Sequence, residues 1–500
     1  MALRSVHIGS RAAALALVSA LLASASAAES PRPSAPDRMH TAALSKGFQA
    51  DAGAALGAGG SQHRSRRSVR SLLASRVQPA PSWFNDSAIY KVNIRQYTPE
   101  GTFKAFATHL PRLKALGVEV LWLMPIHPIG VEKRLGTLGS YYSVRDYRAV
   151  NPEFGSAADF KALMKQAHAL GFKVILDWVA NHTAWDNPWL SANPNWYTKN
   201  ATGDIISPAG TGWSDVADLD YTNTAMRSAM ISAMRMWVKD YGVDGFRCDV
   251  AGMVPSDFWD DAITTLRKVK PVLMLAENQS NTDLLTSGFN VNYNWALLQE
   301  LRNVGLGWVD SSRITDLMAL QREQYPAGTM PMNFITNHDE NSWNGTEFEE
   351  LGRAVAGATV LYFTLPGVPL VYTGQEAGMD KRLKFFDKDE VPWRASSMAT
   401  LISKLVSVKK RNSALWNGAS GGSFSALATN NSEVFAYVRT LKTNKVVVVV
   451  NPTDHDNTVT MNYGSAAGKY IKLTDGVRVT LPARQTMSLK PWSYEVFSTK

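Results

Sequence analysis

Lys173-Val-Ile-Leu-Asp177, Asp244-Gly-Phe-Arg-Cys-Asp249 and Val272-Leu-Met-Leu-Ala-Glu277 are three short β-rich runs, each ending in a carboxylate. Working outward, comparable runs occupy 88–94, 118–124, 289–292, 333–337 and 369–372. Amphipathic helical patterns at 102–116, 157–170, 224–241, 256–268 and 314–323 fall between them. Such β/α alternation, repeated eight times, predicts an α/β fold built as a closed (β/α)8 TIM barrel. Asp177, Asp249, Glu277 and the pair His338-Asp339 then gather at the C-terminal edge of the strands. Barrels of this kind carry their active sites there. One carboxylate alone would say little, because a helix cap occupies the same place.

The third strand is followed by residues 181–220, rich in Trp, Asn, Pro and Gly. That is too long for an ordinary βα loop and predicts a short inserted subdomain beside the barrel mouth. The barrel with its insertion is expected to span 81–415. From 421 to 500 the pattern changes to runs at 434–439, 445–450, 469–472, 477–481 and 494–498, separated by turn residues. These predict a C-terminal antiparallel β-sandwich domain. The uncharged stretch 354–372 is broken by Pro366 and Pro369. It reads as a helix end followed by a buried strand, not as a membrane span.

Over 500 residues, 45% hydrophobic and 19% charged, the composition excludes collagen-like, wholly disordered and polytopic membrane classes. Seven of the nine net positive charges lie in residues 1–80, so the folded part gives no support to nucleic-acid binding. Arg4 and Arg11 precede the apolar run 12–22 and the small residues Ala23-Ser-Ala-Ser-Ala-Ala28. This is the pattern of a secretory signal over 1–28, and the run is short for a membrane anchor. Residues 29–80 read as a flexible basic, Pro- and Ser-rich linker. The expected mature chain is exported to the periplasm or the extracellular space, without a membrane span and as a monomer. Its one cysteine, Cys248, excludes an intrachain disulfide and a Cys-based zinc site.

Arg247 and Asp249, two apart at a strand end, both point into the mouth while Cys248 faces away. The guanidinium would keep Asp249 ionised, as a nucleophile requires, although a structural ion pair has the same signature. Burial of Glu277 at its strand edge would raise its pKa and suit a general acid; a helix cap is the alternative. Asn181-His182 and Asn337-His338-Asp339 flank two further exits and would hydrogen-bond hydroxyls of a sugar-sized ligand, or be satisfied structural residues. Tyr142, Trp185, Trp189, Trp196 and Trp213 fall in mouth loops, where rings stack on sugars or pack into core. P-loop, H-E-x-x-H, G-x-S-x-G and zinc-deaminase motifs do not occur. Two carboxylates of opposite protonation are what retaining glycoside hydrolysis needs.

At Asp177-Trp-Val-Ala-Asn-His182, Gly245-Phe-Arg-Cys-Asp249, Ala276-Glu-Asn278 and Phe334-Ile-Thr-Asn-His-Asp339 the sequence resembles the α-amylase family, family 13 of the glycoside hydrolases. Gly139-Ser-Tyr-Tyr-Ser-Val-Arg-Asp146 and Val216-Ala-Asp-Leu-Asp220 look like two more of its segments. The resemblance covers most of 82–415 and implies that Asp249 is the nucleophile, Glu277 the acid/base and Asp339 the carboxylate that orients and distorts the sugar. It implies that Arg247 positions Asp249, that Tyr142, His182 and His338 hold the glucose unit on the non-reducing side, and that Asp177 is structural. It further implies Ca2+ held by Asn181 and Asp218. Many α-amylases carry Lys-His three and four residues after the nucleophile; here Gly252 and Met253 stand there, so the leaving-group side must be built differently.

The expected function is retaining, endo-acting hydrolysis of α-1,4 bonds in starch, glycogen or maltooligosaccharides. An α-glucosidase, cyclomaltodextrin hydrolase or transglycosylase of the same family is one alternative. A non-catalytic glucan-binding accessory protein, which would be expected to lack one of the acids, is another.

Overall fold

The computed structural model describes residues 77–279 and 282–500. The expected signal and nearly all of the expected linker lie outside these residues. The first described residues run along the barrel, Gln78 O accepting from Asn290 Nδ2 at 3.0 Å.

Eight parallel strands close the barrel: β1 Ile89–Val92, β2 Val120–Leu123, β3 Lys173–Trp178, β6 Gly245–Cys248, β7 Leu273–Ala276, β8 Val291–Tyr293, β9 Met330–Asn333 and β10 Val368–Tyr372. The strands run β1-β2-β3-β6-β7-β8-β9-β10 around the barrel, and β10 pairs back onto β1. Nearly every strand residue is buried, as expected where helices cover the outside and side chains fill the inside. Gly245 is required by a close approach: a Cβ there would lie 2.0 Å from the carbonyl oxygen of Leu273 on the neighbouring strand.

The missing β4 and β5, His182–Ala184 and Val216–Asp218, pair antiparallel at the neck of the insertion. They fasten its two ends to each other directly beyond β3. The C-terminal module holds β11 Ser423–Ala426, β12 Ala428–Thr429, β13 Phe435–Leu441, β14 Asn444–Val450, β15 Asn457–Asn462, β16 Gly468–Lys472, β17 Arg478–Leu481, β18 Arg484–Leu489 and β19 Tyr494–Ser498. They form antiparallel sheets of six and three strands, β11-β13-β14-β19-β16-β17 and β12-β15-β18.

Two expectations need correction. The strand expected at 333–337 is β9, Met330–Asn333; residues 334–337 then leave the sheet as irregular backbone, and His338 and Asp339 open the helical turn that continues through Glu340–Asn344. Pro331, which cannot donate to a ladder, disguised the true strand. The helix expected at 102–116 is two helices, Phe103–Ala107 and Leu110–Leu116, the second started by Pro111 in its first turn.

One apolar core runs from the barrel into the module. It joins Leu361 and Tyr362 of the helix Val355–Thr364 to Phe435, Tyr437, Val446, Val448, Val450 and Val496. Arg439 Nη1 donates to Thr364 O at 2.8 Å, and the hydroxyls of Thr364 and Tyr437 are 2.5 Å apart.

Candidate active site

The C-terminal ends of β3, β6 and β7 place Asp177, Arg247, Asp249 and Glu277 around one guanidinium. Arg247, fully buried, donates through Nη1 to Asp177 Oδ1 at 2.7 Å and Asp249 Oδ1 at 2.8 Å, and pairs through Nη2 with Glu277 Oε1. Its Nε donates to Tyr293 Oη on β8 at 3.1 Å. A guanidinium presents five donors in a fixed plane, so one side chain fixes three carboxylates from three strands. Asp177 is wholly enclosed, its Oδ2 accepting from Trp122 Nε1 at 3.0 Å and Tyr142 Oη at 3.1 Å.

From the far side, His338 and Asp339 enter at the start of the helical turn beyond β9. His338 Nε2 lies 2.6 Å from Tyr142 Oη and 3.3 Å from Asp339 Oδ2. Glu277 Oε2 accepts from the backbone N–H of Val250 at 2.8 Å. Val250 itself sits in the left-handed region, φ 34° and ψ 46°, a strained place for a β-branched residue.

These groups line one open cleft. Tyr142, His338, Trp343 and Phe385 form one wall, the rings of Trp343 and Phe385 lying 5.2 Å apart and those of Tyr142 and Phe385 nearly parallel. His182 and Trp213, from the insertion, form another, with ring centroids 5.3 Å apart. The expected Tyr142, His182, Arg247, Asp249, Glu277, His338 and Asp339 are thus brought together. Trp185, Trp189 and Trp196 are not on these walls: Lys133 Nζ covers the Trp185 ring at 3.2 Å, while Trp189 packs on Tyr147 and Trp196. Their loop neighbours resemble those of Trp213, and only the folded insertion separates them.

Electrostatically the cleft departs from the simple expectation. Burial pushes the Asp249 carboxyl well up and the adjacent Glu277 pushes it further, against the pull of Arg247. Asp339 is pushed up to about 7, by burial first and then by Glu277. The guanidinium alone therefore does not keep Asp249 ionised; crowded carboxylates share protons as a set. Burial also keeps both histidines neutral, lowering His182 to about 3 and His338 well below the ordinary range.

On the leaving-group side, a Cβ on Gly252 would lie 2.4 Å from Asn278 Nδ2, so the chain there is pressed against the residue following Glu277. Met253, 45% exposed, stands at the rim.

Asn181 and Asp218 sit at adjacent backbone positions, Leu219 N donating to Asn181 O at 3.1 Å. Asn181 Nδ2 lies 3.3 Å from His182 Nδ1. Together they offer one amide and one carboxylate, whereas calcium takes six to eight oxygens. Among the described residues no group of three His, Cys, Asp or Glu side chains is placed to hold a metal. These two side chains alone supply too few oxygens for a calcium shell, and no step below passes through the ion.

Comparison with known proteins agrees with this architecture. The model of the alpha amylase catalytic domain matches residues 78–205 and 210–438, and that of the maltogenic amylase C-terminal domain matches 424–496. The chain belongs to the alpha-amylase family of glycoside hydrolases, family 13. It is 30% identical to a maltogenic alpha-amylase of Thermotoga neapolitana, with a TM-score of 0.75 over 83% of this chain and 98% of that one. An alpha-amylase of Lactobacillus plantarum is 28% identical, with a TM-score of 0.75 over 84% of this chain and 100% of that one. The alpha-amylase MalA of Haloarcula japonica is 28% identical over 412 residues, 79% of this chain but 59% of that protein.

Sequence reasoning missed Lys91, Trp122, Tyr293, Trp343 and Phe385. The first three are interior barrel residues in apolar company, and the last two come from a short helical turn and a loop without a chemical motif.

Proposed function

We propose that this protein hydrolyses internal α-1,4-glucosidic bonds of starch, glycogen or maltooligosaccharides with retention of anomeric configuration. The observation that carries this reading is the single Arg247 guanidinium that holds both Asp249 and Glu277. Sharing one guanidinium supports the close carboxyl spacing of about 5–5.5 Å used in retention, rather than the wider gap that admits a water.

In this reading Glu277 gives its proton to the glycosidic oxygen as Asp249 attacks the anomeric carbon. The C–O bond to the leaving sugar breaks and a β-linked glycosyl ester forms on Asp249. Glu277, now ionised, takes a proton from water, whose oxygen displaces Asp249 and gives the α-anomer. Arg247 engages Oδ1 of Asp249 and so directs the other oxygen at the sugar. Asp339, His338, His182 and Tyr142 bind its hydroxyls, and Trp213, Trp343 and Phe385 supply flat surfaces for neighbouring units.

A time course on soluble starch and maltoheptaose, followed by anomer-resolved NMR with Asp249→Asn as control, tests this. The expected result is α-anomeric product from mixed internal cleavage, and loss of activity in the variant by about 10³-fold or more. First-formed β-anomers would refute retention, and intact but bound substrates would favour an accessory role.

The match to a maltogenic C-terminal domain favours a second reading, in which maltose is released from chain ends. The same time course separates the two: maltose from the first minutes indicates end-acting cleavage, and longer products that later shorten indicate internal cleavage. Export is part of the proposal and rests on the leader pattern. Among the described residues no helix is long and apolar enough to cross a membrane. A mature N-terminus beginning near residue 29 in secreted material would support export.

A further inference from the structure

We propose that Lys91 is a positioning residue that keeps the single ring proton of His338 on Nε2, the nitrogen facing Asp339 and the cleft. Its importance for turnover rests on the hydrolase reading above. The proton placement itself does not.

Lys91 lies in β1 and is fully buried. Its Nζ is 2.5 Å from His338 Nδ1 and 3.9 Å from the centre of the Trp122 ring, where a cation is favoured. An ammonium has only hydrogens to offer. The nitrogen that meets it must therefore present its lone pair, and the proton of the neutral imidazole goes to Nε2. There it meets Tyr142 Oη at 2.6 Å and Asp339 Oδ2 at 3.3 Å. Tyr142 in turn has the carboxylate Asp177 Oδ2 at 3.1 Å to receive its own hydrogen. Each donor in the row is thereby assigned: Lys91 to His338, His338 to Tyr142, Tyr142 to Asp177. Asp177 is the same carboxylate that anchors Arg247.

The reversed row would need His338 to donate through Nδ1 to an uncharged amine and Nε2 to accept from Tyr142. Histidine would then offer the cleft an acceptor, and Tyr142 would desert Asp177. A doubly protonated ring is also disfavoured, because Nδ1 is occupied and both Lys91 and Arg247 repel added charge. The charged and titratable groups facing Lys91 are His338 and Asp339 beyond β9, Arg247 on β6, Asp177 on β3 and Glu277 beyond β7. Burial and then Arg247 lower Lys91 to about 7, while Asp177, Asp339 and Glu277 oppose them. Below that pH the amine is an ammonium and the row runs as assigned; above it the reversed row becomes available.

The test uses the full chain labelled with ¹⁵N-histidine, His338 being identified among the nine histidines by its loss in His338→Gln. Two-bond ¹H–¹⁵N spectra of the wild type at pH 6 are expected to show the Nε2–H form, giving way to Nδ1–H as pH rises past about 7. Lys91→Met is expected to abolish that preference. It should lower kcat on maltoheptaose by about 10–100-fold with little change in KM, and make the remaining activity fall off at higher pH on the acid side. Lys91→Arg, which restores a donor and a charge, should recover part of both. An Nδ1–H ring in the wild type at pH 6, or a spectrum unchanged in Lys91→Met, would overturn the proposal. If Lys91→Met fails to fold, the wild-type spectrum decides alone. A wild type inert on every α-glucan would overturn the hydrolase reading, while the spectrum still judged the proton.

Discussion

Val250 shows how local strain can serve a reacting group. A β-branched residue in the left-handed region costs about 1–3 kcal/mol, and here that backbone turn aims its N–H at Glu277 Oε2. Glycine adopts the same turn without strain, so Val250→Gly is expected to keep kcat/KM within about threefold of wild type. Val250→Pro removes the donor and forbids the turn, and a loss of about 100-fold or more is expected from the same initial-rate assay. Glu277→Gln is expected to stop turnover of starch while sparing a maltosyl fluoride, whose leaving group needs no proton. Because Glu277 pushes up both Asp249 and Asp339, its neutralisation lets them ionise more readily. The acid limb of the variant's remaining activity should therefore move to lower pH, as a rate–pH profile would show. Asp249 and Glu277 were legible in the sequence because each ends an apolar run, Arg247 because it stands two residues before Asp249, and Asp339 through the motif Asn337-His-Asp339 that surrounds it. Lys91 was not, since a lysine inside Ile89–Val92 carries no sign of the histidine that it meets 247 residues later.

Asp244, at the N-terminal foot of β6, shows how a barrel strand is pinned. Its carboxylate takes His168 Nε2 at 2.8 Å, Val174 N at 2.9 Å and Lys270 Nζ at 2.9 Å, joining the helix Ala157–Ala169 and the turn before β7 to β3 and β6. Burial pushes Asp244 up, but these bonds prevail and hold it below the ordinary range. A carboxyl lowered on folding stabilises the native state above its unfolded pKa, and that contribution fades as pH falls through the folded value. Asp244→Asn should therefore lower the melting temperature at pH 7, by an amount equal to about 1–3 kcal/mol, and lower it less below pH 4. Thermal melts across that range would show it, with kcat at 25 °C unchanged because the residue lies at the far end from the cleft. Elements with continuous apolar runs were readable from sequence, whereas β15 and β18 were not. Asn-Thr-Val-Thr-Met-Asn buries only alternate residues, so half of its signal is polar. β9 was misplaced for a related reason, its proline contradicting a buried strand until the barrel closed around it.

Across the whole molecule, the barrel and the C-terminal module are bound by a common core and by Arg439 and Tyr437 on Thr364. Calorimetry is expected to give a single cooperative unfolding transition; two separated transitions would contradict this. Calcium held by Asn181 and Asp218, with further oxygens completing its shell, would make the melting temperature fall with EDTA and recover with added calcium; an unchanged melt would exclude the ion there. The shared core also bears on how such a chain can be recombined. The catalytic and C-terminal family models overlap at 424–438, the stretch that contains most of β11, all of β12 and the first half of β13. A gene crossover there would bring in a foreign Tyr437 and Val448 against the native helix Val355–Thr364, leaving mismatched halves of one interior. The module is thus heritable only together with the helix beneath it, and a working chimaera must exchange both.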